Sequence, residues 1–287
     1  MTGITLTSEA RDKHIDLLKT GDAQWSVRVP PHCHCEEPMR IFVNEHQMHL
    51  SIDVGEGAHV IFVETVEHPC TSYVVHLMVG PLARVYFFSL NKAGGIVIEQ
   101  KSVLADKAHV HWCNLTLGCG KVTHTLRSIV RGNRAKSTID WAFYGKNSDQ
   151  YSLRVQNTFE ACEGSGEVTL RGVAEERAHV QCYGAIDIHS NGSGTSTHLT
   201  EEVLMLDPTA KIDIIPALEI RTNDVKASHS ATVSRVTPDD LFYFGSRGII
   251  ECDARRMFID GFLRSVCAQP TNALWTQIVT KALHPFA

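Results

Sequence analysis

The chain has 287 residues, of which 43% are hydrophobic and 21% charged, so it is long and apolar enough to bury a sizeable core. Its net charge of −5 argues against a nucleic-acid surface, which normally carries a basic excess. No apolar run approaches the roughly 20 residues of a membrane span, and the first residues lack the basic and apolar regions of a signal peptide. We therefore expect a cytosolic protein that binds neither nucleic acid nor membrane.

The cysteine and histidine contents are high, at nine and sixteen residues. An odd number of cysteines without a signal peptide makes a poor disulfide framework. The thiols should therefore be reduced, and they serve either metal ligation or core packing.

The N-terminal segment, residues 1–47, is predicted to contain a helix and an irregular stretch. Ser8 is a suitable cap for a short helix over residues 9–19 that ends near Gly21. Three prolines interrupt residues 22–45, which predicts irregular structure there.

Residues 48–236 form a long β-rich region with a weak repeat. Short alternating segments such as residues 60–63, 85–88 and 110–113 are typical of strands. An alanine precedes a polar residue and a strand start at Ala58, Ala83, Ala108, Ala178 and Ala210, with a degenerate copy at Ala135. Such a repeat predicts a stacked β-solenoid with an alanine at a corner of each coil. The alternative, an antiparallel sandwich, needs hairpin turns, and only Asn191-Gly192 fits one.

Residues 237–287 switch to a helical pattern. Thr237 and Pro238 are suited to a helix start, and two further amphipathic segments follow. These helices either cap the solenoid end or form a docking surface; the pattern alone favours the cap. Their apolar faces comprise Leu241, Phe242 and Phe244, then Ala254, Met257, Phe258, Gly261 and Phe262, then Leu274, Trp275, Ile278 and Val279.

Several common enzyme motifs are absent from the sequence. There is no phosphate-binding loop, no dinucleotide fingerprint, no nucleophile elbow and no Cys-x-x-Cys pair. Standard nucleotide-binding, hydrolase and zinc-ribbon functions are therefore excluded.

The densest group of possible metal ligands is His32-Cys33-His34-Cys35. In an extended chain, alternate residues face the same way, so Cys33 and Cys35 form one possible ligand pair. A soft-metal site and a polar loop between prolines are both open interpretations.

A second histidine group lies on a predicted strand. His109, His111 and Cys113 share one face, with Cys119 and His124 beyond. A structural role is favoured here, because Ala-His-Val also recurs at residues 58 and 178 as part of the repeat.

Two further candidates lie nearer the C-terminus. Glu201 and Glu202 precede an apolar strand, and adjacent carboxylates are either solvated or ligands for a hard metal ion such as ferrous iron. His229 stands alone in a strand, a position that is more often structural.

Residues 216–262 resemble the C-terminal core of the SufB/SufD family of scaffold proteins in the SUF iron–sulfur assembly system. The resemblance rests on residues 216–220 (PALEI), 223–233 (NDVKASHSATV), 241–249 (LFYFGSRGI) and 261–262 (GF). It implies a mainly β fold, a right-handed parallel β-helix over residues 48–236, with the N-terminal helical and irregular segment and C-terminal helices. The short chain looks similar to the compact scaffolds of minimal SUF systems.

The resemblance also implies partners and a cargo. Family members pair through the ends of their β-helices and bind a separate ABC-type ATPase (SufC-like) through the helical segment, here about residues 237–265. We expect a homodimer that carries a transient iron–sulfur cluster of unassigned type and is not itself an enzyme.

Transfer of the family's site residues is partial. His229 matches an interface histidine, whereas Ala227 stands where SufD-type chains have a cysteine, and Ser230 lies near the place of an interface glutamate. Glu201 falls where SufB chains carry a cysteine. The resemblance therefore suggests Glu201, Glu202 and His229 as cluster ligands, with Cys33, Cys35 and Cys182 as additional soft ligands.

Two other functions compete with the scaffold. The chain is either a structural or regulatory partner of the ATPase that holds no cluster, or a metal-dependent β-helix enzyme acting on sugars. No aromatic residues are clustered outside the predicted strands, so the sequence gives the enzyme hypothesis little support.

Overall fold

The chain folds as a parallel β-helix, as predicted. The structure is a computed structural model that describes residues 3–5, 10, 12–267 and 272–284. Its strands form two nine-stranded sheets, and from the third strand onward consecutive strands alternate between the sheets. Each coil of the solenoid therefore contributes one strand to each sheet.

The first sheet has the strand order β1-β4-β6-β8-β10-β12-β14-β16-β18. These strands are β1 (Gly3–Thr5), β4 (Met39–Val43), β6 (His59–Val66), β8 (Arg84–Asn91), β10 (His109–Thr116), β12 (Lys136–Gly145), β14 (Ser165–Ala174), β16 (Thr195–Met205) and β18 (Val225–Arg235).

The second sheet has the order β17-β15-β13-β11-β9-β7-β5-β3-β2. Its strands are β2 (Asp16–Gly21), β3 (Gln24–Val29), β5 (Gln47–Val54), β7 (Ser72–Val79), β9 (Ile96–Leu104), β11 (Lys121–Val130), β13 (Gln150–Phe159), β15 (His179–Ile188) and β17 (Lys211–Ile220).

Alternation along each strand builds the main core between the two sheets. Successive side chains point to opposite faces, so every second residue enters the solenoid interior. On β7, for example, Tyr73, Val75 and Leu77 are buried and lie in this core. Parallel pairing in register then stacks equivalent positions of neighbouring coils on one another.

The repeated alanines lie at the corners of the coils, as predicted, but at two different types of corner: one before strands of the first sheet and one before strands of the second. Ala58, Ala83, Ala108 and Ala135 are buried immediately before strands of the first sheet. The other two alanines, at positions 178 and 210, precede strands of the second sheet. This change of corner, together with coils that lengthen from 25 to 32 residues, explains why the later spacing is irregular.

The predicted N-terminal structure is wrong for most of the described residues, although residues 10 and 12 of the expected helix are helical. Residues 16–19, expected to be helical, belong to β2, which pairs antiparallel with β3 at the end of the second sheet. The stretch expected to be irregular contains β3 and β4. The exposed sheet edge offers backbone hydrogen bonds that outweigh a weak local helix propensity. Ser8 and the start of the expected helix lie outside the described residues.

Three helices follow the solenoid: α1 (Pro238–Ser246), α2 (Glu251–Cys267) and α3 (Ala273–Leu283). Thr237 caps α1 as predicted, in a reciprocal capping box with Asp240. Helices α2 and α3 pack on the outer face of the first sheet and form a second core there, which includes Cys113, Leu263 and Trp275. None of the described helices has the length and apolar character needed to cross a lipid bilayer.

The apolar residues of α1 do not pack as a core face. No residue of this helix is buried, and the Phe242 side chain is 77% exposed. On α2, Met257 is also exposed, while Leu263 and Ile259 are buried instead. The helical segment is therefore only partly a cap, and α1 leaves an apolar surface open.

Candidate functional site

The C-terminal end of the solenoid is open. The interior positions of β18 are exposed, including Ala231 and Val233, because no further coil covers them. Strands β17 and β18 are also the last members of their sheets, so each has one unpaired edge. The interior of the protein is thus accessible at this end.

Glu201 is the most unusual residue near this opening. It lies on the inward face of β16 with 0% of its surface exposed, and neither carboxylate oxygen has a hydrogen-bond partner. Burial raises the pKa of Glu201 to about 7. The backbone N–H of Gly184 lies near the carboxylate and lowers the pKa in part. Its geometry does not meet the criteria for a hydrogen bond. A buried, unsatisfied carboxyl group is costly, and native proteins seldom retain one without a ligand or function.

Gly184 leaves the space that Glu201 occupies. A Cβ atom at position 184 would lie 2.8 Å from Oε1 of Glu201 and 2.9 Å from Cδ1 of Leu199. The glycine on β15 and the carboxylate on β16 therefore face each other across the interior. Any larger residue at position 184 would collide with the carboxyl group.

Cys182 lies on the same side of the interior as Gly184. It is buried, and its pKa is raised well above the usual value, first by burial and second by the negative charge of Glu201. The thiol and the carboxyl group thus share one low-dielectric space. Because the thiolate is the form that binds metal, Cys182 needs a cation nearby before it ionises.

His229 lies one coil further out than Glu201. It pairs in register with Leu199, while Glu201 pairs with Ala231, so His229 and Glu201 are diagonal neighbours on adjacent strands. The imidazole is exposed at the open end. The structure therefore brings Glu201, Cys182 and His229 to one end of the solenoid, with Glu201 and His229 on the first sheet and Cys182 on the second.

Glu202, in contrast, points away from this site. It lies on the outer face of β16 and forms an ion pair of 2.6 Å with Arg171. Alternation of the strand separates it from Glu201, although the two residues are adjacent in sequence. The structure does not bring Glu202 together with the other candidates.

Cys33 and Cys35 lie far from Glu201. Both thiols share one face, as predicted, but that face is buried in the main core. The segment that carries them pairs with the start of β6, through His34 and His59. That segment lies one strand spacing beyond β6, and five more separate β6 from β16, so the cysteines are about six spacings, or roughly 29 Å, from Glu201.

The second histidine group has a structural environment. His109 and His111 lie on the outer face of the first sheet, where both rings pack against Tyr86 and His111 contacts Asp140 at 2.7 Å. Cys113, on the same face, is buried under the C-terminal helices. His124 lies instead in the interior.

No set of three or more histidine, cysteine, aspartate or glutamate side chains within the described residues is arranged to hold a metal ion. Glu201, Cys182 and His229 of one chain thus do not make a complete first coordination sphere. A metal ion at this place would need ligands beyond those that the described part of one chain arranges.

One interior carboxyl group was not identified from the sequence. Glu64 on β6 is fully buried and accepts hydrogen bonds from Tyr73 and Ser89. Its pKa is raised to about 7, mainly by burial, and these hydrogen bonds limit the shift. The alternation of residues 60–66 would have placed Glu64 inside, had strand parity been applied to it.

A parallel β-helix followed by C-terminal helices is the architecture that the resemblance to the SufB/SufD family implied. The family model described as "SUF system FeS cluster assembly, SufBD core domain" matches residues 41–262. The chain therefore belongs to the SufBD family.

Curated relatives agree with this assignment. The chain is 25% identical over 260 residues to an iron–sulfur cluster assembly SufBD family protein of Mycobacterium leprae, covering 85% of this chain and 30% of the relative. It is 25% identical over 261 residues to a SufBD family protein of Staphylococcus saprophyticus, covering 84% of this chain and 56% of the relative. The chain thus spans about half or less of the length of these relatives.

Proposed function

We propose that this chain is a scaffold subunit on which an iron–sulfur cluster is assembled before transfer to other proteins. One observation carries the proposal: Glu201 is buried with both carboxylate oxygens unpaired, beside Cys182 and below the open end that exposes His229. A bound cation would compensate the desolvated charge. Carboxylate and imidazole are harder ligands than thiolate, which suits a cluster that has to leave.

The proposed scaffold is a homodimer. One chain lacks a three-ligand group in its described part, but a two-fold axis would double each of Glu201, Cys182 and His229. The unpaired edges of β17 and β18 and the exposed Val233 support an interface at this end. The cluster would then be shared between two copies of the chain.

The proposed energy source is a separate ABC-type ATPase, because the chain has no phosphate-binding loop of its own. Its docking surface would be the segment 237–265, where Phe242, Tyr243 and Ile250 are strongly exposed. In this division of labour the chain is a cytosolic assembly component and no catalyst. ATP hydrolysis in the partner would open the scaffold interface.

Anaerobic reconstitution with ferrous iron and sulfide tests the scaffold. We expect visible absorption and about half a cluster per chain for a cluster shared by a dimer. Glu201→Gln and His229→Ala should each lower the cluster yield. Glu202→Gln is the matched control, since it removes the neighbouring carboxylate on the opposite face, and it should retain the yield. Equal losses in all three variants would contradict the site.

The dimer interface is tested by light scattering on two adjacent substitutions. Val233→Arg places a charge on the inward side of the open end, and Thr232→Arg places the same charge on the outer side. We expect the first to yield monomers and the second to leave the dimer intact. A wild-type protein that is monomeric at all concentrations would refute the shared site.

ATPase docking is tested by calorimetry with a SufC-like ATPase. Phe242→Ala should abolish or strongly weaken binding because it removes the most exposed aromatic side chain of α1. Met78→Ala, which truncates another exposed apolar residue, on β7 and away from the helices, is the control and should bind normally. Unchanged binding by both variants would place the ATPase elsewhere.

A structural partner of the ATPase that holds no cluster is the second candidate. Ala227 in place of the family's cysteine and the incomplete ligand set favour it. It predicts normal ATPase binding, a colourless protein after reconstitution in the presence of the ATPase, and no effect of Glu201→Gln or His229→Ala.

A further inference from the structure

A small polar pocket lies on the outside of the solenoid, on the outer face of the second sheet. It spans β11, β13 and β15 and has a volume of about 140 Å³. That volume is several times the roughly 30 Å³ that a water molecule occupies in the liquid. The pocket is lined by Thr125, Leu126, Arg127, Arg154, Val155, Gln156 and Tyr183.

The strand register places two arginines on either side of the pocket. Arg127 pairs with Gln156 and Arg154 pairs with Thr125, so the two arginines are diagonal neighbours on the same face. The Arg154 guanidinium lies over the Tyr183 ring at 5.4 Å, which orients it. A hydroxyl and a side-chain amide complete the lining between the two guanidinium groups.

Neither arginine forms an ion pair within the part of the chain that the structure describes. Arg131, directly after the end of β11, pairs with Glu160 at 3.0 Å. Two adjacent guanidinium groups without a counter-ion repel each other. Their proximity is stabilised when an anion binds between them.

Neighbouring charges leave the patch positive, in a chain whose net charge is −5. On β9, Lys101 pairs in register with Arg127 and Glu99 pairs with Thr125, so these two charges lie equally near the pocket and offset each other. The positive charge of the two arginines therefore remains. Asp187 on β15 is already engaged by Arg221.

We infer that this pocket binds an oxyanion of the phosphate class. Two guanidinium forks, the Thr125 hydroxyl and the Gln156 amide offer more donors than the two oxygens of a carboxylate can accept. A phosphate group has at least three terminal oxygens, and arginine binds them in pairs. The ligand is free phosphate or the phosphate group of a small ester. The pocket lies on the outer face of the second sheet, whereas Glu201 points into the interior from the first sheet. This inference is therefore independent of the proposed scaffold function.

Calorimetric titration of the full chain with inorganic phosphate tests this site, at pH 7 and with ionic strength held constant by chloride. We expect saturable binding of one phosphate per chain. Arg127→Gln and Arg154→Gln should each weaken binding about tenfold or more, because each removes a charged, paired donor. Both residues are exposed, and circular dichroism verifies that the variants remain folded.

Arg28→Gln is the matched control. Arg28 is an exposed arginine on β3 of the same sheet, so this substitution changes the net charge equally but away from the pocket. Its phosphate affinity should equal that of the wild type. Absence of phosphate binding by the wild type, or equal losses in Arg28→Gln and Arg127→Gln, would overturn the site.

Titration with glycerol phosphate distinguishes the source of the group. If glycerol phosphate binds more tightly than inorganic phosphate, the ligand is an ester; if it binds more weakly, the ligand is free phosphate. Either result supports the pocket, provided that Arg127→Gln and Arg154→Gln lower the affinity. Cluster reconstitution should be unaffected by Arg127→Gln, so a failure of this site and a failure of the scaffold proposal give different results.

Discussion

Two interior carboxyl groups, one near each end of the solenoid, show how the coils determine the fate of a buried charge. Glu64 and Glu201 both point inward, both are fully buried and both have a pKa raised to about 7 by burial. Glu64 lies between complete coils and accepts hydrogen bonds from Tyr73 and Ser89. Glu201 lies beneath the last coil and has no partner for either oxygen.

The difference teaches that partners for a buried group come from neighbouring coils. Ser89 is stacked on Glu64 by the register of β6 and β8. The equivalent position above Glu201 on β18 is Ala231, which has no polar side chain. The carboxyl group of Glu64 is therefore part of the core, and that of Glu201 is available to a ligand.

The largest effect should follow from removing the satisfied group. Glu64→Ala leaves the hydroxyls of Tyr73 and Ser89 without their shared acceptor and opens a cavity, so we expect a loss of about 3–5 kcal/mol in the free energy of unfolding. Urea unfolding measures it. Glu67→Ala, which removes a surface ion pair with Lys92 in the same coil, should cost less than about 1 kcal/mol.

Replacing Glu201, whose carboxylate has no hydrogen-bond partner, should instead raise the free energy of unfolding at high pH. The pKa of Glu201 is higher in the folded protein, about 7, than its ordinary value of 4.5. The folded state therefore binds more protons between these values, and stability falls as pH rises from about 4.5 to 7. Glu201→Gln removes the contribution of Glu201 to this dependence and leaves that of Glu64, whose pKa is also raised to about 7. Relative to the wild type, it should gain on the order of 2 kcal/mol between pH 5 and pH 8.

Urea unfolding at several pH values measures this gain. Glu202→Gln should follow the wild-type pH dependence, because that carboxylate is solvated and paired with Arg171. A wild-type stability that stays constant from pH 5 to pH 8 would show that the Glu201 carboxyl group is not desolvated.

Gly184→Ala tests the contact across the interior. The added Cβ would meet the carboxyl group of Glu201 at 2.8 Å, and we expect a loss of about 1–3 kcal/mol from overpacking. Gly245→Ala in α1 is the control, with no atom within 4 Å, and it should raise stability by up to about 1 kcal/mol. Combining Gly184→Ala with Glu201→Ala should restore part of the loss; strictly additive effects would contradict a direct contact.

The smallest effect on stability is expected at α1. Phe242→Ala should change the free energy of unfolding by less than about 0.5 kcal/mol, because this side chain is exposed in the isolated chain. Thermal unfolding alone measures this, and adding the ATPase to the same experiment should separate the variant from the wild type. A large loss without the ATPase would indicate that Phe242 packs against the solenoid.

Much of the fold could be predicted because it depends on local patterns. Alternation identified the strands from residue 48 onward, and Thr237 marked the start of α1 through its own hydrogen bonds. The strands at residues 16–29 could not be predicted in this way. They form because the second sheet presents an unpaired edge, which is a property of the assembled solenoid.

For the candidate site, the sequence could predict which residues are possible ligands but not which of them lie together. The sequence alone established a β-solenoid with C-terminal helices, the family resemblance at residues 216–262 and a short list of possible ligands. Only the tertiary structure separated them, because strand parity turns Glu201 inward and Glu202 outward, and stacking order places Cys33 and Cys35 about six strand spacings, roughly 29 Å, from Glu201. Whether a carboxyl group finds a partner depends on the coil above it, and that coil is distant in sequence.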